Sequence, residues 1–453
     1  MIFKNKKVTV VGLGKSGFAA AKFLQNQKAI VRVTEASEKK DALENATYLR
    51  GLGIEVETGG HTEAFISGSV CVVTSPGVPQ SSAPLQWAKQ KKIPVISEVE
   101  LASYFCKGKV VAVTGSNGKT TTCNLIHRML SEAGNPCVLC GNVGFSFLDA
   151  IAEIGPNTIV VLELSSFQLE DSPTLRPDIA VVLNVHPNHL DRHQTLENYA
   201  RAKENIFRNQ RKTDLLILNA DNPRVRQMAG KAKGHVILFS KRELEKGIFA
   251  RGNEVMSKQK ASRILFRRDP CQLKGEHNLE NMMACAAVAE ALHVPLQKMR
   301  KTFENFKTLE HRIEPLGEVA GVRFLNDSKS TTVDSTKAAI LATEGPLVLI
   351  AGGRDKGASF ASLEEVLGER VRQAVLYGEA REKIAGAWKL FSRTKTEKDF
   401  RQAVFLAFEE ARPGDTVLLS PMCTSFDQFS SYEERGQVFK HLFEEIKLKH
   451  ASR

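Results

Sequence analysis

The chain has 453 residues, a length that predicts about three domains at roughly 150 residues each. Hydrophobic residues make up 42% and charged residues 25%, as in an ordinary globular protein, and the formal net charge is +12. The basic residues are spread along the chain rather than clustered, and this distribution argues against nucleic-acid binding. The net positive charge suits an enzyme whose substrates are small polyanions such as nucleotides.

The sequence contains no long apolar run and no signal peptide, so we expect a cytoplasmic protein that binds no membrane. The eight cysteines are scattered. Cys137 and Cys140 form a CxxC pair in an apolar segment that predicts a strand, and no second pair follows at a zinc spacing. Two reduced core thiols explain this pair better than a metal or redox site.

The first hundred residues alternate strands and helices. KVTVVGLG predicts a strand, SGFAAAKFLQNQ a helix and AIVRVTE a second strand that ends at Glu35; SVCVVTSPG and IPVISE follow. This βαβ series predicts a parallel sheet. Gly12, Gly14 and Gly17 form a GxGxxG turn that can hold a pyrophosphate, of a dinucleotide or of a UDP-sugar, at a helix N-terminus. A turn that only packs the helix is the alternative.

The second segment begins with strand KVVAVTG and helix TTTCNLIHRMLSEAG, joined by a glycine-rich loop. Val113 stands where the strict P-loop pattern has glycine, but the backbone donors after Gly115 are kept. Lys119 can reach the β and γ phosphates of a nucleotide, and Thr120 or Thr121 can offer a hydroxyl to Mg²⁺. The loop therefore predicts a nucleotide site.

Strands TIVVLELSS, IAVVLNV and DLLILNAD come next. Glu163 ends the first of them beside the glycine loop, where a carboxylate suits Mg²⁺, and Ser165 and Gln168 follow as polar groups for a substrate.

The segment HPNHLDRH carries His186, His189 and His193 without a cysteine or an HExxH pattern, so it favours an oxygen-rich Mg²⁺ site with one histidine over zinc. Lys203, in NYARAKENIF, would by itself be an ordinary solvated charge.

Alternations between about residues 236 and 272 predict hairpins, and NLENMMACAAVAEAL predicts a helix. From about residue 311 the elements VRFLNDS, TKAAILAT, PLVLIAGG, AVLYG, EKDFRQAVFLAFEEA and DTVLLSP predict another doubly wound α/β unit. The polar stretches NDSKST, GGRDKG and SPMCTSFDQF each follow a strand, so they predict a crevice at the carboxyl edge of this sheet.

Ten motifs occur in the order found in the Mur ligases, so the chain resembles that family over nearly its whole length: GLGKSG, TGSNGKTTT, GNVG, ELSSFQLE, NHLDRH, GEHNLENMMA, HR, NDSKST, GGRDKG and SPMCTSFDQF. The resemblance implies an α/β fold with three domains: a Rossmann-like UDP-sugar domain (1–98), a central P-loop ATPase-like domain with a parallel sheet (99–308) and a Rossmann-like amino-acid domain (309–453). It implies that a monomer uses ATP to join D-glutamate to UDP-N-acetylmuramoyl-L-alanine through an acyl phosphate.

The resemblance also implies residue roles. Catalysis is expected from Lys119, Glu163, His189 and Lys203, and ATP binding from Gly115, Ser116, Asn117, Gly118, Lys119, Thr120, Thr121, Asn278, Asn281, Arg312 and Asp327. UDP-sugar binding is expected from Gly14, Lys15, Ser16, Glu35, Ser75, Gly77, Asn142, Ser165, Gln168 and His189. D-Glutamate binding is expected from Thr331, Lys356, Ser425, Phe426 and Tyr432. Two Mg²⁺ ions are expected on Thr120, Thr121, Glu163, His189 and Lys203, the last as a carbamate formed with CO₂.

Some residues depart from the family's pattern. Ser330 and Thr332 stand where the family's NDSKATN has Ala and Asn, Glu35 replaces the usual Asp, and Phe426 and Tyr432 replace the frequent Leu and Phe. These departures leave the reaction class intact and concern only the details of the expected pockets for uracil and D-glutamate. The alternatives are a Mur ligase for another amino acid, a folylpolyglutamate synthase-like ligase, a Rossmann oxidoreductase, or a nucleotide-binding protein without catalysis.

Overall fold

A computed structural model describes residues 2–259, 261–306, 310–355 and 357–451. Its contacts group the chain into two compact units, one of Met1–Pro270 with Glu280–Glu304 and one of Cys271–Leu279 with Asn305–Arg453. The first unit holds two sheets and the second holds one. The domain boundary at residue 98 stays a prediction, and residue 308 lies outside the described residues.

The first sheet is parallel throughout, as the βαβ pattern predicts, with strand order β3-β2-β1-β4-β5. Its elements are β1 (Lys7–Val11), α1 (Lys15–Asn26), β2 (Ile30–Glu35), α2 (Lys40–Gly51), β3 (Glu55–Thr58), α3 (Glu63–Ile66), β4 (Cys71–Thr74), α4 (Ala83–Gln90), β5 (Val95–Ser97) and α5 (Glu98–Ser103). A Cβ atom at Gly17 would lie 1.8 Å from the carbonyl oxygen of Gly12, so α1 can pack this closely on its turn only with glycine.

The second sheet has the strand order β14-β13-β12-β11-β10-β9-β6-β8-β7. Its strands are β6 (Lys109–Thr114), β7 (Cys137–Gly141), β8 (Ile159–Glu163), β9 (Ile179–Val182), β10 (Leu215–Asn219), β11 (His235–Ser240), β12 (Ile248–Arg251), β13 (Glu254–Lys258) and β14 (Ser262–Arg267). Strands β6 to β12 pair in parallel, and the predicted hairpins are the antiparallel β12, β13 and β14.

The helices around the second sheet cover its apolar faces. They are α6 (Lys119–Glu132), α7 (Phe147–Ala150), α8 (Ser166–Glu170), α9 (Leu190–His193), α10 (Leu196–Glu204), α11 (Pro223–Gln227), α12 (Glu276–Ala291) and α13 (Leu296–Asn305). One apolar cluster, which includes Val10 of β1 and Leu162 of β8, runs from the first sheet to the second. The two sheets of this unit therefore share a continuous core.

The third sheet belongs to the second unit and has the order β15-β16-β20-β17-β18-β19. Its elements are β15 (Glu314–Val319), β16 (Val322–Asn326), α14 (Val333–Ala342), β17 (Leu347–Gly352), α15 (Glu364–Arg370), β18 (Val371–Tyr377), α16 (Arg381–Ala387), β19 (Thr394–Glu397), α17 (Phe400–Glu410), β20 (Thr416–Met422) and α18 (Tyr432–Ala451). Only β15, at one edge, is antiparallel among the described pairs. Successive residues of β17 point to opposite faces of the sheet, so Val348 and Leu349 belong to two separate apolar cores.

In the part of the chain that the structure describes, no helix combines the length and the apolar character needed to cross a bilayer.

Candidate active site

The glycine loop between β6 and α6 has the predicted strand–turn–helix form. Gly118, the N-cap of α6, has a φ of 83°, and a Cβ atom there would lie 2.3 Å from Asn281 Oδ1. Glycine is therefore required at this turn. Lys119 Nζ donates to the carbonyl oxygens of Gly115 at 2.9 Å and Ser116 at 3.1 Å, so its ammonium group stays over the loop.

Asn184, which the sequence analysis did not single out, anchors this loop. The N–H of Ser116 donates to the Asn184 carbonyl at 3.0 Å, and the N–H of Asn117 donates to Asn184 Oδ1 at 2.8 Å. These two predicted phosphate donors are engaged within the protein. The first turn of α6, where Thr120 and Thr121 are buried, supplies the remaining N–H groups of the predicted cradle.

Lys203 is buried against the same loop, although its helix gave no such indication by itself. The side chain is 1% exposed, and Nζ donates to the carbonyl of Gly115 at 2.9 Å. Its ammonium group lies 4.4 Å from the centre of the Tyr199 ring. Burial, with the charge of Lys119 adding to it and that of Glu163 opposing it, lowers the pKa of Lys203 well below the ordinary lysine value. Burial thus favours the neutral amine, which is the form that reacts with CO₂.

Glu163 ends β8 with its carboxylate buried, 1% exposed. Oε1 accepts a hydrogen bond from Asn142 Nδ2 at 2.8 Å, whereas Oε2 is buried and has no hydrogen-bond partner. A buried carboxylate oxygen without a partner is energetically costly, and a bound cation would offset that cost. Among the described residues no three His, Cys, Asp or Glu side chains are grouped to hold a metal, so hydroxyl groups and phosphate oxygens would have to complete the site.

The HPNHLDRH segment holds His189 in a left-handed backbone conformation, with a φ of 54°. The imidazole packs edge-on against Phe167 at 4.8 Å between ring centres. Arg192 covers the same phenyl ring at 4.3 Å and donates Nη1–H to the carbonyl of Pro76 at 2.7 Å. Because Pro76 lies between Ser75 and Gly77, the predicted UDP-sugar loop is connected directly to the segment that carries His189.

The other two histidines of that segment have different surroundings. His193 is buried, with Nε2 2.9 Å from Ser166 Oγ and Nδ1 3.2 Å from Glu170 Oε1, while His186 is exposed. Within the described residues these three rings are not grouped to hold a metal, and the oxygen-rich Mg²⁺ site stays a prediction.

Glu98 was missed by the sequence analysis and joins two of the predicted UDP-sugar residues. Its side chain is 3% exposed, and Oε1 accepts from Gln168 Nε2 at 2.8 Å and from Ser16 Oγ at 3.2 Å. Gln168 and Ser165 in turn form the capping box of α8. Burial raises the pKa of Glu98 above its ordinary value, against the opposing effect of these hydrogen bonds.

A cavity of about 600 Å³ opens beside the GxGxxG turn, lined in part by Gly14, Lys15 and Glu35. Glu35 accepts from the N–H groups of Leu13 at 2.5 Å and Ser37 at 2.7 Å. This glutamate, longer than the aspartate usual in the family, is thus engaged by backbone donors at the cavity wall. The cavity is a candidate nucleoside site.

Two residues that are predicted to bind the UDP-sugar also hold the turn in place. Ser75 Oγ donates to the carbonyl of Gly12 at 3.0 Å, and Lys15 Nζ donates to the carbonyl of Gly144 at 3.2 Å. The second bond joins the GLGKSG motif to the GNVG motif, which also contains Asn142. Several of the predicted UDP-sugar residues therefore lie on connected segments of the first unit.

The predicted ATP residues are divided between the two units. Asn281 lies in the first unit, where its Oδ1 accepts from Thr122 Oγ1 at 3.2 Å, and Asn278, Arg312 and Asp327 lie in the second. The residues on both sides of Arg312, His311 and Ile313, have φ angles of 62° and 47°. A positive φ is costly for a β-branched isoleucine. The strained backbone on both sides of Arg312 therefore sets the direction in which the Arg312 side chain leaves the backbone.

Asp327 follows β16 and is buried. Its carboxylate accepts from Ser420 Oγ at 2.8 Å and from the N–H of Ile313 at 3.3 Å. Burial raises the pKa of Asp327 to about 6, and hydrogen bonds from Ser330 and Ser420 oppose the rise. Ser330, a departure from the family's pattern, therefore stabilises this carboxylate. Thr332, the other departure in that motif, caps α14 by accepting from the N–H of Ser335.

Of the residues predicted to bind D-glutamate, Thr331, Ser425 and Phe426 lie on loops that follow strands of the third sheet, and Tyr432 begins α18. Ser425 is buried, Thr331 and Tyr432 are half-buried, and Phe426 is exposed. Lys356 lies outside the described residues. The Lys329 ammonium lies 5.0 Å from the centre of the Tyr432 ring, which keeps a cation beside this loop.

The residues missed from sequence, Asn184, Glu98 and Tyr199, act through long-range contacts. A weak signal existed for two of them, because Glu98 directly follows β5 and Asn184 lies two residues after β9. For Lys203 the sequence gave no comparable signal, because a single lysine on a helix is ordinarily solvated.

The fold and the loop after β6 define an α/β protein of the P-loop type. A Rossmann-like segment with a GxGxxG turn precedes the P-loop segment in the chain. Three family models match the chain: the MurD-like N-terminal domain of Mur ligases at residues 6–97, the Mur ligase middle domain at 113–289 and the Mur ligase glutamate ligase domain at 311–423.

Similar proteins cover almost the whole chain. A UDP-N-acetylmuramoylalanine--D-glutamate ligase of Koribacter versatilis is 43% identical over 444 residues, which is 98% of each chain. One of Pelotomaculum thermopropionicum is 40% identical over 449 residues, 98% of this chain and 99% of the other. The chain belongs to the Mur ligase family. The solved structure of a pseudomurein peptide ligase type C from Methanothermus fervidus shares the fold, with a TM-score of 0.61 at 18% identity over 98% of this chain and 100% of that one.

Proposed function

We propose that this chain is an ATP-dependent ligase that joins D-glutamate to UDP-N-acetylmuramoyl-L-alanine, acting as a monomer in the cytoplasm. The observation that carries the proposal is the contact of Lys119 and Lys203 with one glycine loop, beside Glu163, which pairs with Val113 at the end of the neighbouring strand and has an unpaired carboxylate oxygen. The identity of relatives at 40% or more over nearly the full length supports D-glutamate as the acceptor.

In the first step the L-alanyl carboxylate attacks the γ phosphorus of ATP. A P–O bond forms to the substrate, the bond between the γ phosphorus and the β–γ bridging oxygen breaks, and ADP leaves with that electron pair. Two anions meet in this step, so positive charge fixed beforehand lowers its barrier. Lys119, held over the loop by Gly115 and Ser116, supplies such a charge, and the first turn of α6 supplies backbone donors.

In the second step the deprotonated amine of D-glutamate attacks the carbonyl carbon of the acyl phosphate. A C–N bond forms, the C–O bond to phosphate breaks, and phosphate leaves the tetrahedral intermediate with the electron pair. Because the acyl phosphate is hydrolysed by water, the acceptor must already be in place. We assign Thr331, Lys356, Ser425, Phe426 and Tyr432 to hold D-glutamate, and Ser16, Glu35, Asn142 and Gln168 to the UDP-sugar.

Mg²⁺ fits the residues around Glu163, because Oε2 of this carboxylate is buried without a hydrogen-bond partner and can accept a cation. Thr120 or Thr121, Glu163, His189 and a carbamate of Lys203 would hold two ions, which would neutralise charge on the phosphates. The carbamate requires neutral Lys203: its Nζ lone pair bonds to the carbon of CO₂, one proton leaves, and the cation is replaced by an anion. The depressed pKa of this buried lysine supports that chemistry.

The test is ATP-dependent phosphate release with UDP-N-acetylmuramoyl-L-alanine and, in separate reactions, D-glutamate, L-glutamate, D-aspartate, L-alanine and meso-diaminopimelate. We expect release with D-glutamate alone. Release with another amino acid would keep the ligase chemistry and assign the chain to a Mur ligase of different specificity. Release with none of them, for a chain that still binds ATP, would contradict the proposal.

A further inference from the structure

Arg435 of α18 is the largest side chain that is fully buried, at 0% exposure. Its guanidinium group donates four hydrogen bonds. Nε donates to Ser328 Oγ at 2.9 Å, and Nη2 donates to the Ser328 carbonyl at 2.7 Å. Nη1 donates to the Tyr377 hydroxyl at 3.1 Å and to the Cys423 carbonyl at 3.3 Å. One side chain therefore joins three separate segments of the second unit.

Two of these segments lead into stretches assigned above to D-glutamate. Ser328 lies three residues before Thr331, and Cys423 lies two residues before Ser425. Ser328 Oγ also donates to the carbonyl of Tyr432, the first residue of α18, at 2.8 Å.

The GGRDKG loop is connected to the same group through Tyr377. The N–H of Gly353 donates to the Tyr377 carbonyl at 3.2 Å, and a Cβ atom at Gly352 would lie 2.0 Å from that oxygen. Arg435 thus contacts the segments of Ser328 and Cys423 directly, and it reaches Tyr432 through Ser328 and Gly353 through Tyr377.

The partners of Arg435 are neutral: two carbonyl oxygens and two hydroxyl groups. Among the described residues no carboxylate forms an ion pair with it. A guanidinium group keeps its charge in proteins, and a buried charge is normally matched by an opposite one. Within the described residues, the framework of these loops therefore contains a guanidinium charge without a direct ion-pair partner, and the charge of Asp427 acts on its neighbour Tyr377. An anionic amino acid with two carboxylates is a ligand of complementary charge.

We propose that Arg435 is a positioning and specificity residue for the acidic amino-acid substrate. Its four hydrogen bonds fix the relative positions of the loops, and its charge favours a dicarboxylate over a neutral amino acid. This inference rests on the proposed D-glutamate ligase function. It differs from a purely structural role because it predicts a change in the preference for a dicarboxylate.

The variants Arg435→Gln and Arg435→Lys separate the two contributions. Glutamine removes the charge and keeps donor groups, whereas lysine keeps the charge and loses the planar fork. Arg372→Gln is the matched control, because Arg372 pairs with Asp415 at 2.8 Å where β20 begins, at the opposite edge of the same sheet. Steady-state kinetics give kcat and the KM for D-glutamate, ATP and the UDP-sugar. D-Glutamine, tested as a competitor, measures the preference for a dicarboxylate.

For Arg435→Gln we expect the KM for D-glutamate to rise about tenfold, as for a unit charge removed at roughly 10 Å. The preference over D-glutamine should fall by a similar factor, and the KM for the UDP-sugar, whose assigned residues lie in the first unit, should not change. Arg435→Lys should raise the KM for D-glutamate and keep the preference over D-glutamine. Arg372→Gln should change none of these.

Equal changes in all three KM values, or an unchanged preference over D-glutamine in Arg435→Gln, would overturn the inference. If Arg435→Gln does not fold, Arg435→Lys decides, and an unchanged KM for D-glutamate in that variant overturns it. Wild-type protein without D-glutamate turnover would overturn the proposed function and the inference together, whereas normal wild-type turnover with unaffected variants overturns the inference alone.

Discussion

Glu98 gives the sharpest test of how the first unit holds its substrate residues. Replacing Glu98 with alanine removes the acceptor shared by Gln168 Nε2 and Ser16 Oγ. Gln168 is only 2% exposed, so water cannot easily replace the lost acceptor, whereas Ser16 is half-buried and can find water. The amide of Gln168 therefore carries most of the cost.

The expected magnitude follows from these contacts. An unsatisfied buried amide costs about 1–3 kcal/mol, and the lost methylene adds about 0.8 kcal/mol. We expect Glu98→Ala to lower the free energy of unfolding of the first unit by about 2–4 kcal/mol where the carboxyl group is protonated. Gln80→Ala is the control, because Gln80 also joins the two sheets by a hydrogen bond to Asp171, but at the surface. It should cost less than about 0.5 kcal/mol.

The pH dependence has a definite sign. The folded-state pKa of Glu98 is raised, so the folded protein binds more protons than the unfolded chain between the ordinary and the raised values. The contribution of this carboxyl group is complete below its ordinary pKa and is lost as the pH rises through the folded-state pKa. The destabilisation by Glu98→Ala should therefore shrink at higher pH, and Glu98→Gln should lack this loss.

Urea unfolding followed by tryptophan fluorescence is the appropriate assay. The chain has two tryptophans, Trp87 in the first unit and Trp388 in the second, so a Trp388→Phe background reports the first unit alone. A Glu98→Ala cost no larger than that of Gln80→Ala, or a cost that grows as the pH rises, would refute the reasoning. The KM for the UDP-sugar should rise in parallel with the loss of stability.

Three other predictions concern charged groups. Lys119→Ala should lower kcat for phosphate release by about a hundredfold or more, because it removes a fixed positive charge from the loop, and thermal unfolding should not change. Near-normal turnover would show that the ATP site has been assigned to the wrong loop. The pKa of Lys203 is lowered from 10.5, so wild-type stability should rise with pH between the lowered value and 10.5, and Lys203→Met should flatten that rise in urea unfolding. The pKa of Asp327 is raised from 3.8 to about 6, so the wild type should lose up to about 3 kcal/mol as the pH rises across that window, and Asp327→Asn should not; equal slopes would contradict the burial argument.

Much of the fold could be predicted from sequence because its buried strands are continuous apolar runs. KVVAVTG and PLVLIAGG became β6 and β17, and the hairpins near residue 250 became β12 to β14. The edge strands were missed for the same reason. β19 reads TKTE and β15 contains proline and glycine, so neither carries an apolar pattern.

The candidate site was predictable where a motif has local geometry. The loop from Gly115 to Lys119 and the carboxylate of Glu163 follow directly from strand ends and a helix start. Contacts between distant segments were not predictable. The bond from Lys203 to Gly115 spans 88 positions, and that from Gln168 to Glu98 spans 70. Such contacts depend on how the sheets pack, and no local pattern specifies them.

The most direct test of the account is to follow oxygen from substrate to product. UDP-N-acetylmuramoyl-L-alanine labelled with heavy oxygen in its alanyl carboxylate is incubated with ATP, Mg²⁺, D-glutamate and the protein, and the released phosphate is analysed by mass spectrometry. The account predicts that phosphate carries one labelled oxygen and that the amide product keeps the other. Unlabelled phosphate formed together with the amide would contradict an acyl phosphate at this site.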